Sequence, residues 1–158
     1  MTKEGVVCLD IRYGNADCQF TLRAAALIIQ DDHLLAVKNT RMNCSYTIGG
    51  GVRHGETTEE AVLRECLEET GCHFAVECLV FVQERFFQVD DRKHHEIVFF
   101  YLLKPPGPFA IARTTDQTGE QLCWLPFDSL ETNGLVPAFL RECIQQLPLT
   151  VQHIISEE

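Results

Sequence analysis

Three consecutive glycines, Gly49-Gly50-Gly51, run into a segment that carries the punctuation of a helix at both ends. Thr57 stands three residues before Glu60, the arrangement of a capping box. Gly71 stands where a helix stops on a left-handed residue. Val62, Leu63, Cys66 and Leu67 have the i, i+3, i+4 spacing of a face turned to a core. Glu65, Glu68 and Glu69 have the same spacing beside that face, so three carboxylates share one stripe. Like charges so placed destabilise a helix by roughly 0.2–0.5 kcal/mol per pair. A hard divalent cation such as Mg²⁺ or Mn²⁺ offsets that repulsion, because such ions take oxygen ligands. One edge of the helix is then expected to meet the core and the acidic edge to line a cleft. A solvated acidic face is the alternative, and the helix alone does not separate the two.

The elements around this helix are mostly strands. Val6 to Tyr13 reads as an edge strand. Phe20 to Gln30 and His33 to Lys38 read as a hairpin turning at Asp31-Asp32. Tyr46-Thr47-Ile48 is a short β-prone run. Phe74 to Gln88 and His94 to Leu103 are rich in Val, Ile and Phe and read as two strands joined around residues 89–92. Pro105 to Pro108 breaks the pattern. Leu122 to Leu125 reads as a further strand, and Asn133-Gly134 as the start of a second helix over residues 135–146. Strands outnumber helices and the helices are separated, so a mixed sheet between helices is expected. A length of 158 residues suits one domain over residues 1–158.

Charge narrows the partners. Lys and Arg total 13 against 23 Asp and Glu, a net charge of −10. A duplex nucleic-acid binder needs a basic footprint, and this chain has none, so no duplex nucleic acid is expected. No apolar run reaches the ~18 residues of a membrane span, and an anionic bilayer surface would repel the chain, so no membrane partner is expected. The eight cysteines form no C-x-x-C pair, and residues 1–5 lack the apolar core of a secretory signal. A cytoplasmic, reducing location is expected, with the thiols serving as small apolar residues.

Gly50, Glu56, Arg64, Glu65, Glu68, Glu69 and Gly71 fall in the spacing G-x5-E-x7-R-E-U-x-E-E-x-G-U, where U is a bulky apolar residue. This spacing resembles the signature of the Nudix hydrolase superfamily (MutT-like). The hairpin "RAAALIIQDDHLLAVK" and the later "EQLCWLPFDSL" are also similar to Nudix domains. The chain departs from the pattern at the U positions, which are Cys66 and Cys72, and at Ile48, where many members have proline. Cysteine still packs as a small hydrophobe, and none of these changes removes a carboxylate.

The resemblance implies an α/β/α sandwich with a mixed β-sheet between helices. It implies hydrolysis of a pyrophosphate linkage in a nucleoside diphosphate joined to another moiety: a (deoxy)nucleoside triphosphate, a dinucleoside polyphosphate or a nucleotide sugar. It makes Glu65, Glu68 and Glu69 metal ligands, with a backbone carbonyl at Gly50 or its glycine neighbours. Glycine admits that close approach. Glu65 is also the candidate base, and Glu56 and Arg64 are the ion pair that orients the loop. The family often recruits one more carboxylate from a later loop. Glu120, four residues before Trp124, fits that pattern, and Asp116 lies in the same stretch. The implied cofactor is Mg²⁺ or Mn²⁺, which would polarise phosphoryl oxygens and reconcile an acidic protein with a polyanionic, small-molecule substrate. The sequence leaves a homodimer open.

Weaker candidates surround the motif. Lys38 and Arg41 precede the glycine loop, where they either meet a phosphate or sit in a solvated turn. Glu84 and Glu96 lie on the central strands, each facing either the cleft or its back. Phe86, Phe87, Phe99, Phe100 and Tyr101 read first as sheet core; because adjacent strand residues face opposite ways, one of Phe86 and Phe87 is left able to stack on a base. For the same reason His94 and His95 do not share an ion. The glycines are no dinucleotide fingerprint, since position 54 is His, and no G-K-[ST] follows. Two other readings remain beside the hydrolase: a nucleotide-binding regulatory domain without catalysis, and an acidic interaction module.

Overall fold

A computed structural model of the chain describes residues 8–107, 109–111 and 119–158. In chain order the strands are β1 (Arg12–Gly14), β2 (Cys18–Leu27), β3 (Ile29–Gln30), β4 (His33–Asn39), β5 (Cys44–Thr47) and β6 (Gly49–Gly51). Helix α1 (Thr58–Thr70) follows, then β7 (Ala75–Val89), β8 (Arg92–Lys104), β9 (Glu120–Pro126), β10 (Leu135–Val136), α2 (Leu140–Cys143) and β11 (Gln152–Glu157).

The strands form two mixed sheets. The larger runs β1-β2-β8-β7-β11, with β6 also paired to β2; the smaller runs β10-β5-β4-β3, with β9 on the other edge of β4. The expected hairpin is therefore mostly not a hairpin. Only Ile29 and Gln30 pair back onto Leu34 and His33, while residues 18–27 run parallel to β8 in the other sheet. The chain changes sheets at Ile28, which is fully buried. Both anticipated turns form as two-residue loops with left-handed central residues: Asp31 (φ 49) and Asp32 (φ 58), then Asp90 (φ 47) and Asp91 (φ 63). Positive φ at both positions matches the twist of the flanking strands, and Asp tolerates it better than most residues.

Alternation along β2 builds two cores. Ala24 and Ala26 face a cluster with Leu35, Val37, Ile48, Val62 and Cys66, which lies under α1. Ala25 and Leu27 face a second cluster with Phe81, Phe100, Leu130, Leu140 and Ile144 between the sheets and under α2. Within it Phe81, Phe100 and Phe139 meet edge to face, with centroids 5.2–6.4 Å apart.

Helix α1 begins and ends as its sequence dictates. The Thr57 hydroxyl accepts from the Glu60 amide at 3.1 Å, and the Glu60 carboxylate accepts from the Thr57 amide at 2.8 Å. Gly71 closes the helix at φ 74. Its buried residues are Ala61, Val62, Cys66 and Thr70. Leu67, expected on the core face, is instead 36% exposed. The second helix is only one turn. Leu135-Val136 pairs in parallel with Ser45-Tyr46, and Pro137 has no amide to donate, so helix starts only at Leu140. Of the expected N-terminal strand, residues 1–7 lie outside the described residues, and β1 occupies Arg12–Gly14.

Replacing Thr57 by Ala removes one side of the capping box. The expected cost is about 1 kcal/mol, a fall of roughly 2–4 °C in Tm for a chain of this size. Thermal melts of Thr57→Ala and wild type check it, and equal melting temperatures would mean that the cap adds nothing.

Candidate active site

The site is assembled where β6 meets α1. Gly49–Gly51 pair antiparallel with Arg23–Ala25, which fixes the glycine strand in the larger sheet. A side chain at Gly50 would collide with the Glu65 carboxylate, so only glycine lets that carboxylate lie against the backbone. Arg64 ties the two elements together. Its Nε donates to Glu56 Oε1 at 2.7 Å and its Nη2 to Glu56 Oε2 at 3.0 Å, a bidentate pair. Nη2 also donates to the Gly51 carbonyl at 3.0 Å, and Nη1 to Glu65 Oε1 at 2.5 Å. Glu68 Oε2 lies 3.5 Å from Nη1. Side-chain exposure is 18% for Arg64 and 15% for Glu56, so the pair is largely withdrawn from solvent. Hydrogen bonds from Arg64 hold the Glu56 carboxyl below the ordinary carboxylate range, and burial opposes them in part.

The acidic stripe divides on folding. Glu65 is 17% exposed and Glu68 51%, with Glu68 turned toward Arg53 at 3.7 Å. Glu69 points inward. Its Oε2 is buried, with no hydrogen-bond partner among the described residues. Burial, then the charges of Glu65, Glu120 and Glu68, raise its pKa to about 7. Glu120, at the start of β9, accepts on Oε1 from the Tyr46 hydroxyl and from Asn39 Nδ2 at 3.5 Å. Burial and this contact push the Tyr46 phenol upward. Glu69, Glu120 and Tyr46 line one cleft of about 520 Å³ that opens between the two sheets. Asp116 lies outside the described residues.

These donors suit a hard cation. They are carboxylate oxygens beside a glycine backbone, and one of them, Glu69 Oε2, is buried and unpartnered. Among the described residues no three His, Cys, Asp or Glu side chains are drawn together as a ready-made metal cluster. The reason is electrostatic: the carboxylates repel one another, and Arg64 draws Glu65 and Glu68 onto itself.

The remaining candidates separate by strand face. Phe87 lines the cleft, stacked on His94 at 4.7 Å and carrying the Arg85 guanidinium 4.3 Å over its ring. Phe86 and Glu84 face the other way. Phe86 stacks on His95 at 4.3 Å, and Glu84 lies 3.8 Å from His153, so neither lines the cleft. Lys38 donates to Asn133 at 3.4 Å, and Arg41 is exposed with its stem along Gly119; neither lines the cleft. The reading of the motif does not single out Arg23, Tyr46, Gln83 or Arg85, which do line it. For Gln83 and Arg85 the signal is parity with Phe87 along β7; Arg23 and Tyr46 lie on β2 and β5, where only pairing in the fold brings them to the cleft. Two register shifts in β7, between Val76 and Cys78 and between Leu79 and Phe81, keep the parity of the first part of that strand from carrying over into the part that holds Gln83 and Arg85.

No helix among the described residues is long and apolar enough to cross a membrane, and all eight cysteines are free thiols.

This architecture has known counterparts. The chain superposes on the MutT protein of Bacillus halodurans with a TM-score of 0.65 at 14% identity, covering 87% of this chain and 89% of that one. A NUDIX hydrolase of Nitrosomonas europaea gives 0.62 at 13% identity, covering 87% and 79%. At those identities the likeness concerns the fold. A family model described as the NUDIX domain matches residues 20–147. The chain therefore belongs to the Nudix family. The human 8-oxo-dGDP phosphatase NUDT18 is 30% identical over 112 residues, which are 68% of this chain and 32% of that protein. The chain thus spans about a third of the length of this curated relative.

The Glu56–Arg64 pair sets a pH dependence. A carboxyl whose pKa is lower in the folded than in the unfolded chain stabilises the fold above its unfolded value. It loses that contribution as pH falls through the folded one. For Glu56 the unfolded value is near 4.5. Arg64→Ala leaves a buried carboxylate uncompensated and is expected to cost about 3–5 kcal/mol at neutral pH. Thermal melts from pH 7 downward should show the gap to wild type narrowing below pH 4.5. A gap that stays constant, or is absent at pH 7, would contradict the pairing.

Proposed function

We propose that this chain, as one domain, hydrolyses a pyrophosphate linkage in a nucleoside diphosphate joined to another moiety. Nucleoside triphosphates, dinucleoside polyphosphates and nucleotide sugars are the compounds of this class. Mg²⁺ or Mn²⁺ is the cofactor. The observation that carries this reading is the buried, unpartnered oxygen of Glu69, set beside Glu65 and facing Glu120 across a cleft large enough for a nucleotide. The human relative's name describes an activity on 8-oxo-dGDP, itself a nucleoside diphosphate, which supports the substrate class.

Glu65, Glu68 and Glu69, with a carbonyl of the Gly50 strand, would hold the metal. Bound there, it would polarise phosphoryl oxygens and screen the acidic site from its anionic substrate. The chain's own groups do the rest. Arg64 keeps the glycine strand and the acidic helix in one register through Glu56 and the Gly51 carbonyl. Glu120 has Oε1 occupied by Tyr46 and Asn39, while among the described residues no hydrogen bond takes Oε2, the oxygen that would accept a proton from an attacking water. Glu65 is the second candidate for that role.

Glu69→Gln and Glu68→Gln are expected to lower kcat by two or more orders of magnitude, and Glu120→Gln by about 10²–10⁴-fold if it is the base. Metal-free Glu69→Gln should melt no lower than wild type, since it removes a buried, repelled charge. A screen of nucleotides with Mg²⁺ and Mn²⁺ that identifies the cleavage products, a nucleoside monophosphate and pyrophosphate or the freed phosphorylated moiety, checks these outcomes. Near-wild-type turnover in both Glu68→Gln and Glu69→Gln would reject the assignment. Full kcat in Glu120→Gln across the pH range would return the base role to Glu65.

A further inference from the structure

The deep wall of the cleft carries polar groups that the hydrolytic machinery does not use. Gln83 is fully buried. Its Nε2 donates to Ser156 Oγ at 2.8 Å, and its Oε1 has no partner among the described residues. Glu96 is 7% exposed. Its carboxylate lies between two guanidinium groups, Arg23 at 3.8 Å and Arg85 at 3.6 Å. Both separations exceed a hydrogen bond, and among the described residues none reaches this carboxylate. A buried carboxylate ordinarily accepts several. All four residues line the cleft that also holds Glu69 and Glu120.

The sheet register places the two acceptors together. Gln83 pairs with Val98, and Glu96 stands two residues before Val98 on the same face, so Gln83 and Glu96 are diagonal neighbours. One of the cations beside them is held in place. Arg85 is clamped by the Phe87 ring at 4.3 Å and by Glu158 at 2.6 Å. Both cations offset the cost of burying the Glu96 charge without occupying its hydrogen-bonding positions.

We propose that Glu96, with Gln83 as a second acceptor, reads the base of the substrate and takes the paired N–H donors of a guanine-type edge. This deepens the nucleotide-hydrolase reading above and rests on it. A carboxylate accepts and cannot donate, and its two oxygens match two parallel N–H groups. The Watson–Crick edge of guanine offers that pair, N1–H beside the exocyclic amino group, and its adjacent carbonyl suits a flanking guanidinium. Adenine and cytosine place a ring acceptor beside a single amino group, and that acceptor would face the carboxylate. Uracil and thymine flank one N–H with two carbonyls. A site built from buried acceptors rejects a base that leaves them unpaired.

The test is calorimetric binding of GMP and AMP to the metal-free full chain, which is independent of hydrolysis. Wild type should bind GMP at least about tenfold tighter than AMP, the scale of one charge-assisted contact. Glu96→Gln should erase the preference by weakening GMP, with AMP unchanged. Gln83→Leu, which conserves volume and touches neither arginine, should narrow it, and this variant decides the matter if Glu96→Gln does not fold. Equal binding of GMP and AMP by wild type overturns the proposal, as does a wild-type ratio in folded Gln83→Leu. A GMP preference in a chain that cleaves no nucleotide with Mg²⁺ or Mn²⁺, with neither a nucleoside monophosphate nor pyrophosphate formed, would remove the hydrolase reading and leave the base-reading site standing.

Discussion

Arg64 is the joint on which the site depends. One guanidinium donates to a carboxylate in the loop, to a carboxylate on its own helix and to a carbonyl of the glycine strand. Guanidinium suits this work because its donors are fixed in a plane and its charge persists at any working pH. A lysine would supply the charge but not the fork. With the joint made, the glycine strand and α1 become one rigid corner, and Glu65 can lie against Gly50. Without it, Glu56 and Glu65 would be left as largely buried charges facing each other, a costly arrangement.

The cleft follows from the change of sheets at Ile28. The apolar run from Phe20 to Gln30 is longer than one strand pairing requires, and its two ends serve different sheets. The sheets share a core where Phe81 and Phe100 fill the space, and they part where polar residues replace them at Arg23, Gln83 and Glu96. The opening therefore has two chemistries. Near α1 it presents carboxylates; on the deep wall the Glu96 carboxylate stands between two guanidinium groups, with the Gln83 amide on the same face. Arg23 is shared by both, since it lies beside Glu96 and its charge also lowers the Glu69 pKa against the stronger effect of burial.

Local sequence determined much of this. The capping box at Thr57 and Glu60, the stop at Gly71, the Asp-Asp turns and the seven-position motif are short-range features, so they are legible without knowing what they pack against. The position of Glu120 relative to Trp124 was legible through family likeness, and folding brings Glu120 within electrostatic reach of Glu69 from the opposite side of the cleft.

What the tertiary structure decided is which face each strand residue shows. Period-two alternation says that Phe86 and Phe87 differ and that Glu84 and Arg85 differ, but not which of each pair looks into the cleft. Two bulges in β7 reset that parity, and pairing with β8 then fixes it. The same applies to Leu67, whose spacing suits a core face that the helix turns toward Cys66 and Thr70 instead. It applies equally to residues 135–136, where pairing with β5 overrides a helical pattern. For the strands a long-range hydrogen-bonded partner, invisible in the linear chain, outweighs a local preference worth a fraction of a kcal/mol per residue; for Leu67 it is the packing of the helix that decides.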